Sequence, residues 1–431
     1  MLKSIKKIML TLCCLLMLMC LCACSGKDND EVNNNDANLN QYSLVQNVYS
    51  WGSGCSKIIL SVDFKKDVDY LDTSAYTVLV KRFDKNGKEL NSGERVVTAA
   101  YQSDEKGKSS SKGDYVTLDL ATTATTALSS PYYTDPDSFG KTLKAWAKCE
   151  YMVTIKNSDD AWNEENTVYH PDEEKFLTSI YDGEKKIPYA YYEASTNDKH
   201  PLIVWLHGAG SGGTDIGFVT GGMLVTNFVS DDVQSIFDGA DILLPQCETV
   251  WMDDGSGNYT SDGSSVYESS LKSLIDEYLR THENVDANRV YIGGCSNGGY
   301  MTVKLVMDYP EMFAASFPIC VAYKTNLISD DEVVKLASVP TWFVHCANDP
   351  VVDINTTAID LYERMKEIGA DNLHFSVYDS IIDPDYGNAY NGHFAWVYSL
   401  KNLCTTDYDG SNVTVEGNPV NLYQWLATNS K

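Results

Sequence analysis

Two hydrophobic patterns divide the chain. Between residues 42 and 155, apolar and polar positions alternate in short runs that turn residues separate, and Val116, Leu118 and Leu120 share one face in this way. A period of two is typical of half-buried strands. Roughly six or seven such strands fit into a region of this length, which is the size of a β-sandwich. This part of the chain is therefore predicted to be a small all-β sandwich.

Beyond Lys156 the pattern changes. Continuous apolar runs of strand length alternate with amphipathic runs of helix length, such as residues 268–280 and 355–368. Continuously apolar strands are buried on both faces, and their alternation with helices indicates an α/β fold with a mostly parallel sheet and helices on both faces. The candidate strands are residues 201–206, 241–245, 289–292, 314–320, 340–345 and 373–378.

The N-terminus has the features of an export signal. Lysines precede an apolar run over residues 8–23, which is shorter than the roughly 20 residues that span a bilayer. The segment Leu21-Cys22-Ala23-Cys24 resembles the lipobox of bacterial lipoproteins, in which cleavage before the cysteine leaves it carrying lipid. We expect a signal peptide at 1–23, lipidation of Cys24 and a position outside the cytoplasm, lipid-anchored to the membrane at the bacterial cell surface. The alternatives are an uncleaved anchor, or secretion after cleavage near Ala23.

These patterns predict the domain organisation. Residues 24–41 are almost entirely polar and are expected to form a flexible linker. The sandwich is expected at 42–157 and an α/β catalytic domain at 158–431. Seven cysteines follow Cys24, and an odd number in an exported chain leaves at least one free thiol, while the spacing fixes no pairing.

Composition and charge exclude several classes of protein. Hydrophobic residues make up 43% of the chain and charged residues 22%, as in ordinary globular proteins. The 33 Lys and Arg residues stand against 60 Asp and Glu residues, a formal net charge of -27 that repels nucleic acids and anionic lipids. We therefore expect no nucleic-acid partner, and membrane association only through the N-terminal anchor. No pattern indicates an oligomeric state.

The motif that carries the most chemistry is Gly294-Cys295-Ser296-Asn297-Gly298. This G-x-S-x-G sequence directly follows a candidate strand and directly precedes a candidate helix. In that context it forms a strained strand-to-helix turn that holds the serine hydroxyl above the sheet. Ser296 is therefore predicted to be a nucleophile, while Cys295 is interpreted as a small packed thiol.

A serine nucleophile needs a base, and the base needs an acid that orients it. In this kind of fold the chain order is serine, acid, histidine. Three histidines follow Ser296, and His345 and His374 lie within candidate strands and are interpreted as structural. His393 lies in a loop past the last strand and is the predicted base.

The predicted acid is Asp349, which comes just after the penultimate candidate strand. Asp353 is the alternative, but it is better placed to begin the following helix, where a carboxylate complements free backbone N–H groups. Stabilisation of an oxyanion is expected from the backbone N–H groups of Ala209, in a glycine-rich segment after a buried strand, and of Asn297. No histidine or acidic cluster has metal-ligand spacing, so no metal and no cofactor are expected.

Several segments together resemble a known family. PLIVWLHGAGSGGTD, VYIGGCSNGGYM, HCANDPVV and GHFAW are similar to segments of bacterial extracytoplasmic carboxylesterases of the α/β-hydrolase superfamily, including the polyhydroxyalkanoate depolymerase-type and prolyl oligopeptidase-type hydrolases. The resemblance extends from about residue 176 to the C-terminus. It implies an α/β-hydrolase sheet, an immunoglobulin-like N-terminal domain, and a triad at Ser296, Asp349 and His393. The cysteine at position 295 departs from the commonest form of the motif.

These observations predict a serine carboxylesterase that works through an acyl-enzyme intermediate. The expected partner is a small-molecule or polysaccharide-linked ester. A serine peptidase or polyester depolymerase is the alternative among enzymes, because the same triad serves amides and esters. A surface polysaccharide-binding protein, with the sandwich as its binding domain, is the alternative from another class.

Overall fold

The structure is a computed structural model that describes residues 40–123 and 128–431. The predicted signal peptide, the predicted lipidation site Cys24 and nearly all of the predicted linker lie outside the described residues. Within the described ranges, no helix combines the length and the apolar character needed to cross a bilayer.

The first part of the described chain is a β-sandwich. One sheet has five strands in the order β11-β1-β2-β6-β5, and the other has four in the order β10-β9-β3-β4. The short strands β7 and β8 form a separate antiparallel hairpin. The strands are β1 (Gln41–Tyr49), β2 (Gly52–Ser61), β3 (Tyr76–Phe83), β4 (Glu89–Arg95), β5 (Val97–Ser103), β6 (Tyr115–Leu120), β7 (Tyr132–Thr134), β8 (Lys144–Trp146), β9 (Lys148–Ile155), β10 (Ala161–Trp162) and β11 (Glu164–Tyr169).

The alternating side chains build the core of the sandwich. Leu118 of one sheet and Val78 and Val153 of the other are fully buried between the sheets. On the opposite face of β6, Thr117 is also buried, and its hydroxyl group is satisfied by a hydrogen bond with that of Ser103 at 2.8 Å. The prediction of an all-β sandwich is confirmed.

The sandwich extends further along the chain than predicted. Strand β11 pairs in parallel with β1 over the register from Gln41 opposite Glu164 to Val45 opposite Tyr169. The predicted boundary after residue 157 therefore falls before the last strand of the sandwich. The sequence of β11 is mostly polar and lacks the alternation of the other strands, so no local pattern indicated this strand. It is a strand because it pairs with β1, more than a hundred residues earlier.

The second part of the chain contains an eight-stranded sheet in the order β12-β13-β15-β14-β16-β17-β18-β19. The six strands from β15 to β19 in this order are mutually parallel, while β12 and β13 form an antiparallel hairpin at one edge. The strands are β12 (Leu177–Asp182), β13 (Lys186–Tyr192), β14 (His200–Leu206), β15 (Asp241–Pro245), β16 (Val285–Cys295), β17 (Ala315–Ile319), β18 (Thr341–Cys346) and β19 (Leu373–Tyr378), followed by the short pairs β20 (Ile381–Ile382) with β21 (Ala389–Tyr390) and β22 (Thr414–Val415) with β23 (Asn418–Pro419).

Helices cover both faces of this sheet. Two hydrophobic clusters result, one on each side, and the central strands β14, β15, β17 and β18 are buried along their whole length. The prediction of a mostly parallel sheet with helices on both faces is confirmed, and the edge hairpin β12–β13 is an addition that the sequence patterns did not reveal. The α-helices are α1 (Gly217–Thr220), α2 (Asp231–Ile236), α3 (Glu268–Thr281), α4 (Asn297–Asp308), α5 (Asp330–Ala337), α6 (Ala358–Glu367), α7 (Trp396–Leu400) and α8 (Leu422–Ala427).

The described cysteines are all free thiols. Six of them are buried, and Cys149 is half-buried. None of the seven forms a disulfide in the described part of the chain.

Arg95 is a buried charged residue in the core of the sandwich, and its contacts predict an effect on stability. Its side chain is 2% exposed, and its guanidinium group donates to four oxygens, among them the carbonyl oxygens of Cys55 at 2.9 Å and Ala121 at 3.1 Å. Replacing Arg95 with Met leaves these buried acceptors unsatisfied, and we expect it to lower the free energy of unfolding by about 3 kcal/mol.

Urea unfolding of the purified protein, followed by tryptophan fluorescence, measures this change. The adjacent Val96→Ala is the matched control, because Val96 is 64% exposed; its effect should stay within about 0.5 kcal/mol. Equal midpoints for the Arg95→Met variant and the control would contradict the assigned role of Arg95.

Candidate active site

Ser296 lies at a sharp turn between β16 and α4. Its backbone has φ 57° and ψ −114°, a region that non-glycine residues rarely adopt. Its N–H donates to the carbonyl oxygen of Ile319 at 2.8 Å, and its own carbonyl oxygen accepts from the N–H of Tyr300 at 2.9 Å. Strand β17 and helix α4 thus hold this strained residue from both sides.

The glycines around Ser296 allow α4 to approach the end of β14. A Cβ atom on Gly298 would lie 2.0 Å from the carbonyl oxygen of Leu206, and one on Gly294 would lie 2.6 Å from the same oxygen. Any side chain at either position would push the helix away from the sheet. The turn therefore requires glycine at both ends of the G-x-S-x-G motif.

Asp349 and His393 are in direct contact. The Oδ2 atom of Asp349 lies 2.7 Å from Nδ1 of His393. The other oxygen, Oδ1, accepts from the backbone N–H groups of Val351 at 2.8 Å and Val352 at 3.0 Å. Burial alone would raise the pKa of Asp349, but hydrogen bonds from imidazole and backbone groups outweigh it and hold that pKa well below its usual range. The side chain of Asp349 is therefore a buried carboxylate anion.

A second imidazole also contacts Asp349. Nε2 of His345 lies 3.0 Å from the same Oδ2 atom, and both side chains have no exposed surface. His345 is interpreted from the sequence as structural, and the structure makes it a buried neighbour of the predicted acid. Its position four residues before Asp349, across the end of β18, is the signal in the sequence that could have revealed the contact.

His374 and Asp353, the other residues considered from the sequence for the base and the acid, have different roles. Nδ1 of His374 lies 2.7 Å from Oδ2 of Asp407, and its ring packs between Trp342 and Trp425. The carboxylate of Asp353 accepts from the N–H of Asn355 at 3.0 Å and caps a short 3-10 helix. Both residues therefore have partners other than His393.

Ser296 and His393 line one cavity of about 800 Å³ at the carboxyl end of the parallel strands. The apolar side chains Met223 and Met252 and the aromatic ring of Tyr259 also line it. A cavity of this size accommodates an organic ligand of moderate size.

The two predicted oxyanion donors also lie at this cavity. Ala209 begins a 3-10 turn just after β14, and a Cβ atom on Gly208 would lie 4.0 Å from Cβ of Ser296. Asn297 is the first residue of α4, where a backbone N–H group has no acceptor within the helix. Its side chain is buried, with Oδ1 accepting from the N–H of Met252 at 3.0 Å. The backbone of both segments therefore flanks Ser296.

Three potential metal ligands lie close together behind the site. Cys320, His345 and Asp349 have ligand atoms within 4.8 Å of one another. However, Asp349 already accepts from two imidazoles, and the thiol of Cys320 contacts the carbonyl oxygen of His393 at 3.4 Å. Burial raises the pKa of the Cys320 thiol well above its usual value, so the thiol is protonated. These contacts favour a role in holding the His393 loop over a role in metal binding.

His207 is hydrogen-bonded to the glycine-rich segment that follows β14. Its Nδ1 lies 2.7 Å from the carbonyl oxygen of Gly208, and its Nε2 accepts from the N–H of Cys247 at 3.2 Å. Complete burial lowers the pKa of His207 to about 4, although the hydrogen bond to Gly208 partly opposes this shift. A neutral His207 therefore fits the packing role that the sequence suggests.

The lowered pKa of His207 predicts how stability depends on pH. An unfolded histidine has a pKa near 6.5, so between about pH 4 and 6.5 the unfolded chain binds more protons than the folded chain. The stabilisation is complete above that window and is lost as the pH falls through it, by about 3 kcal/mol in total.

We expect the variant His207→Gln, which retains an acceptor for Cys247, to lose less stability than the wild type between pH 7 and pH 4.5. Urea unfolding at a series of pH values measures the difference between the two slopes. Because all other ionisable groups are common to both proteins, parallel slopes would show that His207 does not contribute.

Two family models match this chain, one in each domain. Residues 41–167 match the family described as esterase Ig-like N-terminal domain, and residues 188–382 match the family described as phospholipase/carboxylesterase. The solved structure titled "Crystal Structure of a Thermostable Esterase" superposes with a TM-score of 0.68 at 22% identity, covering 90% of this chain and 99% of that chain. This likeness shows a shared two-domain fold.

Two curated relatives match over shorter segments. Feruloyl esterase B of Neurospora crassa is 30% identical over 129 residues, which is 30% of this chain and 41% of that protein. Poly(3-hydroxyalkanoate) depolymerase C of Paucimonas lemoignei is 36% identical over 50 residues, which is 12% of each chain. This chain therefore matches less than half the length of either relative. The chain is thus similar to an esterase immunoglobulin-like family over its first domain and to a phospholipase/carboxylesterase family over much of its second, and its fold is that of an α/β-hydrolase preceded by an immunoglobulin-like sandwich.

Proposed function

We propose that the protein is a serine carboxylesterase whose triad is Ser296, His393 and Asp349. The observation that carries the proposal is the buried Asp349–His393 pair, joined at 2.7 Å, in which His393 shares a cavity with a serine on a strained turn. Such an arrangement supports nucleophilic attack, because a histidine oriented by a carboxylate accepts the serine proton.

The reaction follows from the positions of these groups. His393 takes the proton from the Ser296 hydroxyl group as its oxygen attacks the ester carbonyl carbon. The negative charge that forms on the carbonyl oxygen is stabilised by the backbone N–H groups of Ala209 and Asn297. His393 then protonates the departing alcohol and leaves an acyl-enzyme, and water activated by the same imidazole releases the acid.

The walls of the cavity favour an ester with an aromatic part. Trp51, Tyr132, Tyr259, Phe394 and Trp396 bring rings to the cavity from several directions. Aromatic rings stack favourably on one another. Together with the similarity to a feruloyl esterase, these walls support a small-molecule or polysaccharide-linked aromatic ester as the substrate. The sequence at Cys24 further supports a protein that meets this substrate outside the cytoplasm, tethered by lipid.

The sandwich helps to hold the loop that bears His393. The hydroxyl group of Ser50, which follows β1, donates to Oδ2 of Asp383 at 3.0 Å and lies 2.8 Å from the hydroxyl group of Tyr390. Asp383 is 1% exposed, and Tyr390 also hydrogen-bonds to it. The ring of Tyr390 stacks on Phe394, the residue after His393. This buried network supports the view that the sandwich positions the proposed base.

Substitution of the triad tests the proposal. Ser296→Ala removes the nucleophile, and Asp349→Asn removes the charge that orients His393, so each should lower kcat for 4-nitrophenyl butyrate by on the order of 10⁴. The comparison variant is Asp353→Asn, four residues further on. This carboxylate also lines the cavity but bonds to Asn355 and not to His393, so its replacement should change kcat by no more than about threefold.

Hydrolysis by the Ser296→Ala variant at the wild-type rate would refute the nucleophile. A larger loss in Asp353→Asn than in Asp349→Asn would transfer the acid role to Asp353. A panel of peptide amides and polyhydroxyalkanoate films beside the butyrate and methyl ferulate esters separates an esterase from a peptidase and a polyester depolymerase.

The network at Ser50 yields a second prediction. Ser50→Ala removes a buried hydrogen bond to a carboxylate, and we expect kcat to fall about tenfold because the His393 loop is less firmly held. Ser53→Ala is the matched control, since Ser53 is also buried but donates to the carbonyl oxygen of Gly221, at 2.9 Å, away from that loop. Equal kcat values for the two variants, at equal unfolding midpoints, would exclude a positioning role for Ser50.

A further inference from the structure

One wall of the catalytic cavity comes from the sandwich. The β7–β8 hairpin contributes Tyr132 and Lys144, and Thr142, in the loop between its strands, also lines the cavity. The hydroxyl group of Thr142 lies 2.6 Å from that of Tyr259 in the hydrolase domain. The hairpin therefore touches the loops that would surround a bound ester.

Lys144 is the charged residue of this wall, and its position is well defined. Its Nζ atom donates to the carbonyl oxygen of Gly222 at 3.1 Å and lies 4.2 Å from the centre of the Tyr132 ring. Its stem runs along the proposed oxyanion segment, since a Cβ atom on Gly210 would lie 3.7 Å from Cε of Lys144. The ammonium group thus lies in the wall of the cavity that Ser296 and His393 also line.

The charge of this ammonium group is not neutralised by the protein. Within residues 40–123 and 128–431, Lys144 has no carboxylate oxygen within salt-bridge distance, and its hydrogen-bond partner is a neutral carbonyl oxygen. An ammonium group has three donors, so Lys144 keeps donors for a ligand. Its half-buried position strengthens a charge–charge contact relative to one in open water.

The cavity wall is less acidic than the molecule as a whole. Lys144 and Lys324 line it together with one carboxylate, that of Asp353, which is engaged with Asn355, while the buried carboxylate of Asp349 lies behind His393 and is held by four donors. The whole chain, in contrast, carries a formal net charge of -27. A negatively charged ligand is repelled by most of this surface, whereas the ammonium group of Lys144 attracts it within the cavity.

We propose that Lys144 forms a subsite for a carboxylate group of the ester substrate, so that the immunoglobulin-like domain selects for anionic esters. The proposal rests on the proposed esterase function, and it assigns to the sandwich the recognition of substrate charge. The carboxylate could belong to the acid part or to the alcohol part of the ester, and the two parts are distinguished by experiment.

Two pairs of substrates test the subsite. 4-Nitrophenyl hydrogen adipate and 4-nitrophenyl hexanoate differ by a carboxylate in the acid part, while 4-acetoxybenzoate and 4-acetoxybenzamide differ by a carboxylate in the alcohol part. We expect Lys144→Met to lower kcat/KM for the charged member of one pair about tenfold more than for its neutral member. The pair that responds identifies the part of the ester that Lys144 contacts.

Matched variants separate this effect from a general one. Lys144→Arg keeps the charge and should keep the preference. Lys148→Met removes an equal charge from an exposed lysine of β9, which pairs with Glu150, and should leave the preference unchanged. A change in the charged-to-neutral ratio of less than about threefold in both pairs for Lys144→Met would overturn the proposal. An equal loss of kcat/KM for charged and neutral esters in Lys144→Met would also overturn it, because Lys144 would then act on the oxyanion, which all esters form.

Salt gives a measurement on the unchanged protein. If Lys144 attracts the carboxylate, added NaCl should lower the charged-to-neutral ratio of kcat/KM for the wild type; if the overall negative charge dominates, salt should raise it. A rise would overturn the subsite even if Lys144→Met failed to fold. Because the neutral esters report on the triad alone, their hydrolysis without any charge preference would refute the subsite and leave the esterase proposal standing, whereas no hydrolysis of any ester would refute the function.

Discussion

The arrangement of the site depends on one buried carboxylate. Asp349 has no exposed side-chain surface, and its two oxygens accept hydrogen bonds from His393, His345 and the backbone of Val351 and Val352. An unpaired charge in this position would be strongly destabilising, whereas four donors make the charged form the stable one. The same donors fix the carboxylate, and the carboxylate in turn fixes the orientation of the His393 ring.

The parallel sheet brings the remaining groups to this carboxylate. Strands β14, β16 and β18 run in the same direction, so the segments that follow them meet at one edge of the sheet. The segment after β14 carries Ala209, the turn after β16 carries Ser296, and the loop after β18 carries Asp349. Residues separated by more than fifty positions therefore meet at one edge of the sheet, as the crossover connections of a parallel sheet require.

The sandwich is part of this site. Ser50 is hydrogen-bonded to the network beneath the His393 loop, and Trp51, Tyr132 and Lys144 face the same cavity as Ser296. Trp146, at the end of the hairpin, stacks on Phe218 of the hydrolase domain at 4.5 Å between ring centres. Both domains therefore contribute side chains to the cavity, so its shape and charge belong to both domains.

The sequence by itself determined the features that local patterns encode. Alternation identified the sandwich strands, continuous apolar runs identified the parallel sheet, and the glycines around Ser296 identified the turn, because each depends on residues close together in the chain. Only the tertiary structure decided that β11 pairs with β1, that His345 shares the carboxylate of Asp349, and that Lys144 faces the cavity. Each of these depends on the distance between segments far apart in sequence, which no local pattern of polarity contains.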